Sequence, residues 1–229
     1  MSNIPLNSSL SSKPKVLLVK LSSLGDVLHN LPIVWDLRTR LPEAQIDWVV
    51  EEAYVHLLSP LLSREGFKGI DRIIPFGLRR WKRNLFKLST WQEFFAFRKS
   101  LQSSTYDVLI ETQGLLKSAI VCALAKKSSN VLIAGLANAT EFSGYEPLAR
   151  SFYTHSVQVP THCHAVDRSR WVMCSAFDWP LLDRGDVPKF YPESFVRGIQ
   201  KTTDRGLCTP YVLCFHSTAR EAKRWPNEY

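Results

Sequence analysis

Along the chain, short runs of apolar and β-branched residues alternate with stretches whose apolar positions recur every three or four residues. The short runs, at 16–19, 46–50, 72–74, 108–110, 131–134, 156–159 and 211–215, predict strands. The periodic stretches, at 27–40, 91–101, 115–126, 165–177 and 192–203, predict helices. Strands separated by helices of this length pair in parallel through crossovers, so the pattern predicts an α/β protein with a doubly wound sheet. Asp, Pro and Gly crowd residues 178–192, which reads as a linker. The apolar run 211–215 after it, followed by a polar loop, looks like the start of a second α/β domain, and a strand and loop that cannot bury their own apolar faces make the chain look truncated.

The first strand ends in Lys20-Leu21-Ser22-Ser23-Leu24-Gly25-Asp26, just before the first helical pattern. A polar loop in that position is where α/β proteins place ligand chemistry. Asp26 falls at the helix start, where unpaired N–H groups and the helix dipole favour the ionised carboxylate, so it is a candidate general base. The same spacing, Ser23 three before Asp26, is that of a capping box. Neither G-x-G-x-x-G nor G-x-x-x-x-G-K-[ST] occurs, which excludes the common dinucleotide and P-loop fingerprints.

Composition changes the picture in one place. The 229 residues carry a formal net charge of +8, and between Arg79 and Lys99 seven basic residues stand against one acid. Trp81, Phe86, Trp91, Phe94, Phe95 and Phe97 are interleaved with them, as in a segment lying at a bilayer interface or in a basic face over a buried aromatic stripe. Nucleic-acid binding would account for the charge but not for Asp26. Residues 1–14 are polar and Ser-rich, a flexible tail without the apolar core of a signal peptide, and no apolar run is long enough to span a bilayer, so a cytoplasmic protein is expected. The cysteines, five in number and without a C-x-x-C pair, read as reduced thiols. His162-Cys163-His164 lacks the matching pair that a metal site needs.

The segments 20–26, 47–52, 79–82, 113–119, 164–168 and 216–226 stand in the order found in the lipopolysaccharide heptosyltransferases of glycosyltransferase family 9, which the chain resembles from about residue 15 to its end. The resemblance implies a GT-B fold: a Rossmann-like acceptor-binding domain at 15–177, the linker at 178–192 and the beginning of a nucleotide-sugar-binding domain at 193–229. It implies inverting transfer of L-glycero-D-manno-heptose from ADP-heptose to Kdo of Kdo2-lipid A at the cytoplasmic face of the inner membrane of a Gram-negative bacterium. The enzyme would be peripheral and would use neither metal nor other cofactor, and no nucleic acid.

Asp26 then matches the base, and Lys223 acts with it on the leaving group. Lys20, Ser22, Ser23, Gly25, Arg79, Arg80, Lys82, Arg83, Gln113, Gly114, Lys117, His164 and Arg168 match the acceptor site. Ser217, Thr218 and Lys223 match the donor-phosphate loop, although Ala219 stands where the family commonly has a second threonine. Tyr145 stands where related enzymes can carry an arginine. The alternative is a non-catalytic module that binds an anionic lipid or the acceptor.

Overall fold

The computed structural model describes residues 13–141 and 143–181. Six parallel strands, β1 (Lys15–Val19), β2 (Gln45–Glu51), β3 (Arg72–Phe76), β4 (Tyr106–Glu111), β5 (Lys127–Leu136) and β6 (His155–Val157), form one sheet in the order β3-β2-β1-β4-β5-β6. All correspond to strands expected from the pattern. The strand at 211–215 and the helix at 192–203 lie outside the described residues.

Alternation along each strand decides which layer its residues join. Val16 and Leu18 of β1 face one core with Ile46, Trp48, Val108 and Ile110, while Leu17 and Val19 face a second core with Val49, Leu109 and Ile133. The first face is covered by α1 (Leu24–His29), α2 (Leu31–Arg40) and α7 (Ala165–Phe177), with the one-turn α3 (Val55–Leu58) beside them. The second is covered by α4 (Leu78–Arg83), α5 (Leu88–Leu101) and α6 (Leu116–Leu124). Helices on both faces let the central strands β1 and β4 carry unbroken apolar runs at 16–19 and 108–110.

Two expectations need correction. The helix expected over 27–40 is two helices, because Pro32 in the first turn of α2 has no N–H to continue the α1 ladder. Asn30 sits at the break, and its Oδ1 accepts from the Thr112 hydroxyl at 2.8 Å. The basic run 79–83 lies within a short helix of its own, α4, and α5 begins at Leu88 instead of residue 91. Of the aromatic stripe, Trp81 and Phe97 are buried in the second core, whereas Phe86, Trp91 and Phe95 are exposed.

A buried ion pair ties α7 to α2. Arg170 donates from Nε to Asp36 Oδ2 at 2.7 Å and from Nη2 to Oδ1 at 3.2 Å, and both side chains are shut off from water. Removing one partner of such a pair strands the other charge, whereas replacing both is close to neutral. Asp36→Ala is expected to lose about 3–5 kcal/mol of stability in urea denaturation, and Asp36→Leu combined with Arg170→Met to recover most of it.

Candidate active site

In this strand order β1 and β4 are neighbours whose following helices, α1 and α6, pack on opposite faces, so their loops diverge and leave a crevice at the carboxyl edge of the sheet. The two loops are laced together across it. The Lys20 ammonium, buried with its whole side chain, donates to the Thr112 carbonyl at 2.9 Å. Gln113 Oε1 accepts from the backbone N–H groups of Leu21 and Ser22, each at 3.1 Å. Lys117 Nζ donates to Ser22 Oγ at 3.1 Å.

Asp26 stands in the first turn of α1 with its two oxygens differently engaged. Oδ2 accepts from the Ser23 N–H at 3.0 Å and the Ser23 hydroxyl at 2.8 Å, so the expected cap at the start of the helix is present. Oδ1 faces two cations, Lys20 Nζ at 3.7 Å and Arg168 Nη2 at 3.5 Å. Partial burial would raise this carboxyl, but Lys20, the two Ser23 donors and Arg168 together hold it below its usual 3.8. A third of the side chain remains accessible. The result is a carboxylate that stays ionised at neutral pH and is open to a ligand.

The other residues singled out in the sequence divide by what they touch. Arg168 is buried, donates to Thr140 Oγ1 at 3.0 Å and turns toward Asp26. His164 is instead the N-cap of α7, its Nδ1 accepting from the Val166 N–H at 3.2 Å. Gln113 latches the two loops. Gly114 takes φ +72°, a left-handed conformation that favours glycine, with Leu136 Cδ1 only 3.1 Å from where a Cβ would stand. Gly25 needs no such conformation, and a Cβ there would meet nothing within 4 Å.

The basic residues of α4 are not equivalent. Arg80 is held between Glu52, at 2.8 Å, and Glu93 of α5, so its charge is matched by two carboxylates at the protein's surface. Arg79 reaches Glu51 at 3.2 Å, with well over half of its side chain in solvent, while Lys82 and Arg83 are exposed and Lys82 borders an open cleft.

Residues that the sequence did not single out support these loops. Glu111, fully buried at the end of β4, accepts from the Gln113 and Gly114 N–H groups at 2.7 and 3.0 Å and from the Tyr153 hydroxyl. Burial raises its carboxyl against those hydrogen bonds. Glu146 accepts from the Leu116 N–H at 2.6 Å and so caps α6 from a distant loop. Beside it Tyr145, which the sequence did single out as standing where related enzymes can carry an arginine, donates to the Ala137 carbonyl at 2.7 Å. A carboxylate beside Gln113-Gly114 at a strand end was the one available signal, for Glu111; Glu146 had none. Ser217, Thr218 and Lys223 lie outside the described residues. Among the described residues no cluster of His, Cys, Asp and Glu could hold a metal, and His162 faces Glu141 at 3.1 Å.

The model of glycosyltransferase family 9 (heptosyltransferase) matches residues 94–229. The chain is 35% identical over 218 residues to lipopolysaccharide heptosyltransferase 1 of Pseudomonas aeruginosa, covering 94% of itself and 55% of that protein. It is 34% identical over 216 residues to the protein of the same name from Escherichia coli K12, covering 94% and 62%. The solved structure of E. coli heptosyltransferase WaaC with ADP superposes with a TM-score of 0.72 at 32% identity, over 93% of this chain and 61% of that one. The WaaC structure with ADP-2-deoxy-2-fluoro heptose gives 0.71. A family 9 glycosyltransferase from Veillonella parvula, 18% identical with a TM-score of 0.55, shares the fold. The chain thus spans 55–62% of the length of these curated relatives.

Burial lowers the Lys20 ammonium from its usual 10.5 to about 8, although Asp26 pulls the other way. Between those two values the unfolded chain binds the proton that the folded chain has released, so this group makes stability rise with pH across that window. Denaturation midpoints measured from pH 7 to 10.5 are expected to show that rise in the parent and a clearly shallower one in Lys20→Met, since Lys117 and Lys127, also lowered by burial, remain.

Proposed function

The chain belongs to glycosyltransferase family 9, the heptosyltransferases, and from that premise we propose that it is the acceptor-binding part of an inverting heptosyltransferase of lipopolysaccharide biosynthesis. The fold is the first Rossmann-like domain of a GT-B glycosyltransferase. Residues 15–177 form the acceptor domain, 178–192 the linker, and 193–229 the beginning of the donor domain. The observation that carries the proposal is Asp26: an ionised, accessible carboxylate at the sheet's switch point, held by Lys20 and Arg168.

The chemistry follows from that position. A Kdo hydroxyl of Kdo2-lipid A lies against Asp26, which takes its proton as the oxygen attacks the anomeric carbon of L-glycero-D-manno-heptose. The carbon–oxygen bond to the ADP leaving group breaks on the opposite face, so configuration inverts and ADP departs with the bonding electrons. Lys223, with Ser217 and Thr218, meets the diphosphate charge that develops. Arg79, Lys82, Arg83 and Lys117 bind the phosphates and carboxylates of the acceptor, with Arg80 setting the angle of α4 through Glu52 and Glu93. The substrate sits on the cytoplasmic face of the inner membrane, where the enzyme works as a peripheral protein. Among the described residues no helix is long and apolar enough to cross a membrane. The relatives named above are bacterial lipopolysaccharide enzymes, which supports this setting.

Asp26→Asn keeps an oxygen for Ser23 and loses the base. In a protein of the relatives' full length, transfer is expected to fall by about 10²–10⁴-fold, with acceptor affinity held within about three-fold because a base acts in the transition state. Transfer near the parent rate would leave Asp26 a helix cap only.

Gly25 gives a second test. Alanine fits the protein and is the better helix former by about 0.5–1 kcal/mol, so Gly25→Ala is expected to keep or raise the melting temperature. If the acceptor approaches the backbone there, its affinity drops at the same time, as titration calorimetry would show.

A further inference from the structure

On the face of the sheet opposite α7, α4 is tied to α5 by Arg80 and Trp81 through Glu93, and the end of α5 to α6 by Gln102 Nε2 donating to the Leu124 carbonyl at 2.9 Å, without filling the space the three helices border. They leave an open cleft of about 710 Å³, within the range of about 300–1,000 Å³ typical of small-ligand sites. Its walls are almost wholly apolar, with Leu78, Leu85, Trp91, Phe94, Ile120 and Leu124 prominent. Two cations, Lys82 and Lys117, and one carboxylate, Glu146, border it. Lys117 also donates to Ser22 of the loop that carries Asp26, so the cleft opens beside the candidate active site. Outside it the surface stays apolar: Leu85 is 52% exposed, Leu88 74% and Phe86 fully. A solvated basic face gives no reason for that exposure.

We propose that the cleft takes one fatty acyl chain of the anionic glycolipid acceptor, while Lys82 and Lys117 at its border meet that lipid's phosphate. The inference rests on the acceptor assignment made above and adds a subsite to it. Charge selects this occupant. Lys117 is pushed down by burial and further by Arg79 and Lys82, against the pull of Glu51 and Glu146, so three cations meet two carboxylates at the opening. A phosphorylated lipid supplies both the apolar tail and the anion.

The test compares Kdo2-lipid A with its fully deacylated counterpart, and uses dodecyl phosphate below its micelle concentration as a single-chain probe. Ile120→Lys is the variant; Ile120 is 43% exposed on α6, so the lysine can reach water without disturbing the fold. The parent is expected to bind the acylated acceptor at least about ten-fold more tightly, which burial of about two methylenes suffices to give. Ile120→Lys should abolish that difference, leave affinity for the deacylated acceptor unchanged, and weaken dodecyl phosphate binding about ten-fold or more. Equal affinity of the parent for both acceptors would overturn the proposal. So would dodecyl phosphate binding that Ile120→Lys leaves intact, or association with anionic vesicles but with no monomeric lipid, which would make these side chains a membrane-facing surface. If neither acceptor binds while dodecyl phosphate does so in an Ile120-dependent way, the acyl site stands and the acceptor assignment falls.

Discussion

Lys20 places an ammonium in the seam between β1 and β4, donating to the Thr112 carbonyl at 2.9 Å and facing the Asp26 carboxylate at 3.7 Å. Removing a full charge from water costs several kcal/mol even after relaxation. That cost is offset only if both loops stay in place around it, which makes the loop geometry obligatory. The Lys20 carbonyl accepts from Trp48 Nε1 at 3.1 Å, and the Leu21 carbonyl from the Glu51 N–H at 3.1 Å, so β2 is drawn into the same arrangement. Gln113 then repeats across the crevice what Lys20 does beneath it. Three strands and two loops thus depend on one amine.

The elements were legible where local patterning decides them. β1 and β4 carry apolar runs at 16–19 and 108–110, and β2 one at 46–50 broken only by Asp47, because helices cover both faces, and the apolar positions of α7 recur at helical spacing. The break at Asn30 was not legible, since periodicity carries across Pro32 and the asparagine's partner, Thr112, lies 82 residues away. The site divided in the same manner. Asp26 could be found because position at a strand end and helix start is a local property. Arg168 was found through family resemblance, but its contact with Asp26 spans 142 residues and no spacing rule supplies it.

The basic segment shows why charge counts alone mislead. Arg79 and Arg80 are adjacent in sequence and equal in formal charge. Folding puts Arg80 between two glutamates, where it joins α4 to α5, and leaves Arg79 largely in water beside a single, mostly buried one. A bound anion gains from the second kind of arginine far more than from the first, because the first would have to give up hydrogen bonds it already makes. The aromatic residues part in the same way: Trp81 donates from Nε1 to Glu93 at 2.9 Å within the core, while Phe86 has no cover at all.

Capping and catalysis are not rival roles for Asp26, because the carboxylate has an oxygen for each. A cap on a helix of six residues contributes about 0.5–2 kcal/mol, and Ser23 with Asp26 Oδ2 provides it unaided. Stability would be better served by leaving the other oxygen in water. Instead the fold buries a lysine and an arginine around Oδ1, at a desolvation cost of several kcal/mol per ion, with Arg168 Nε left without a hydrogen-bond partner. What those cations add, and a cap does not, is a carboxylate held ionised and oriented at the one edge of the sheet where two loops part to admit a ligand. Helix stability does not account for that expense; the general-base role proposed for Asp26, which needs an ionised carboxylate in a fixed place, does.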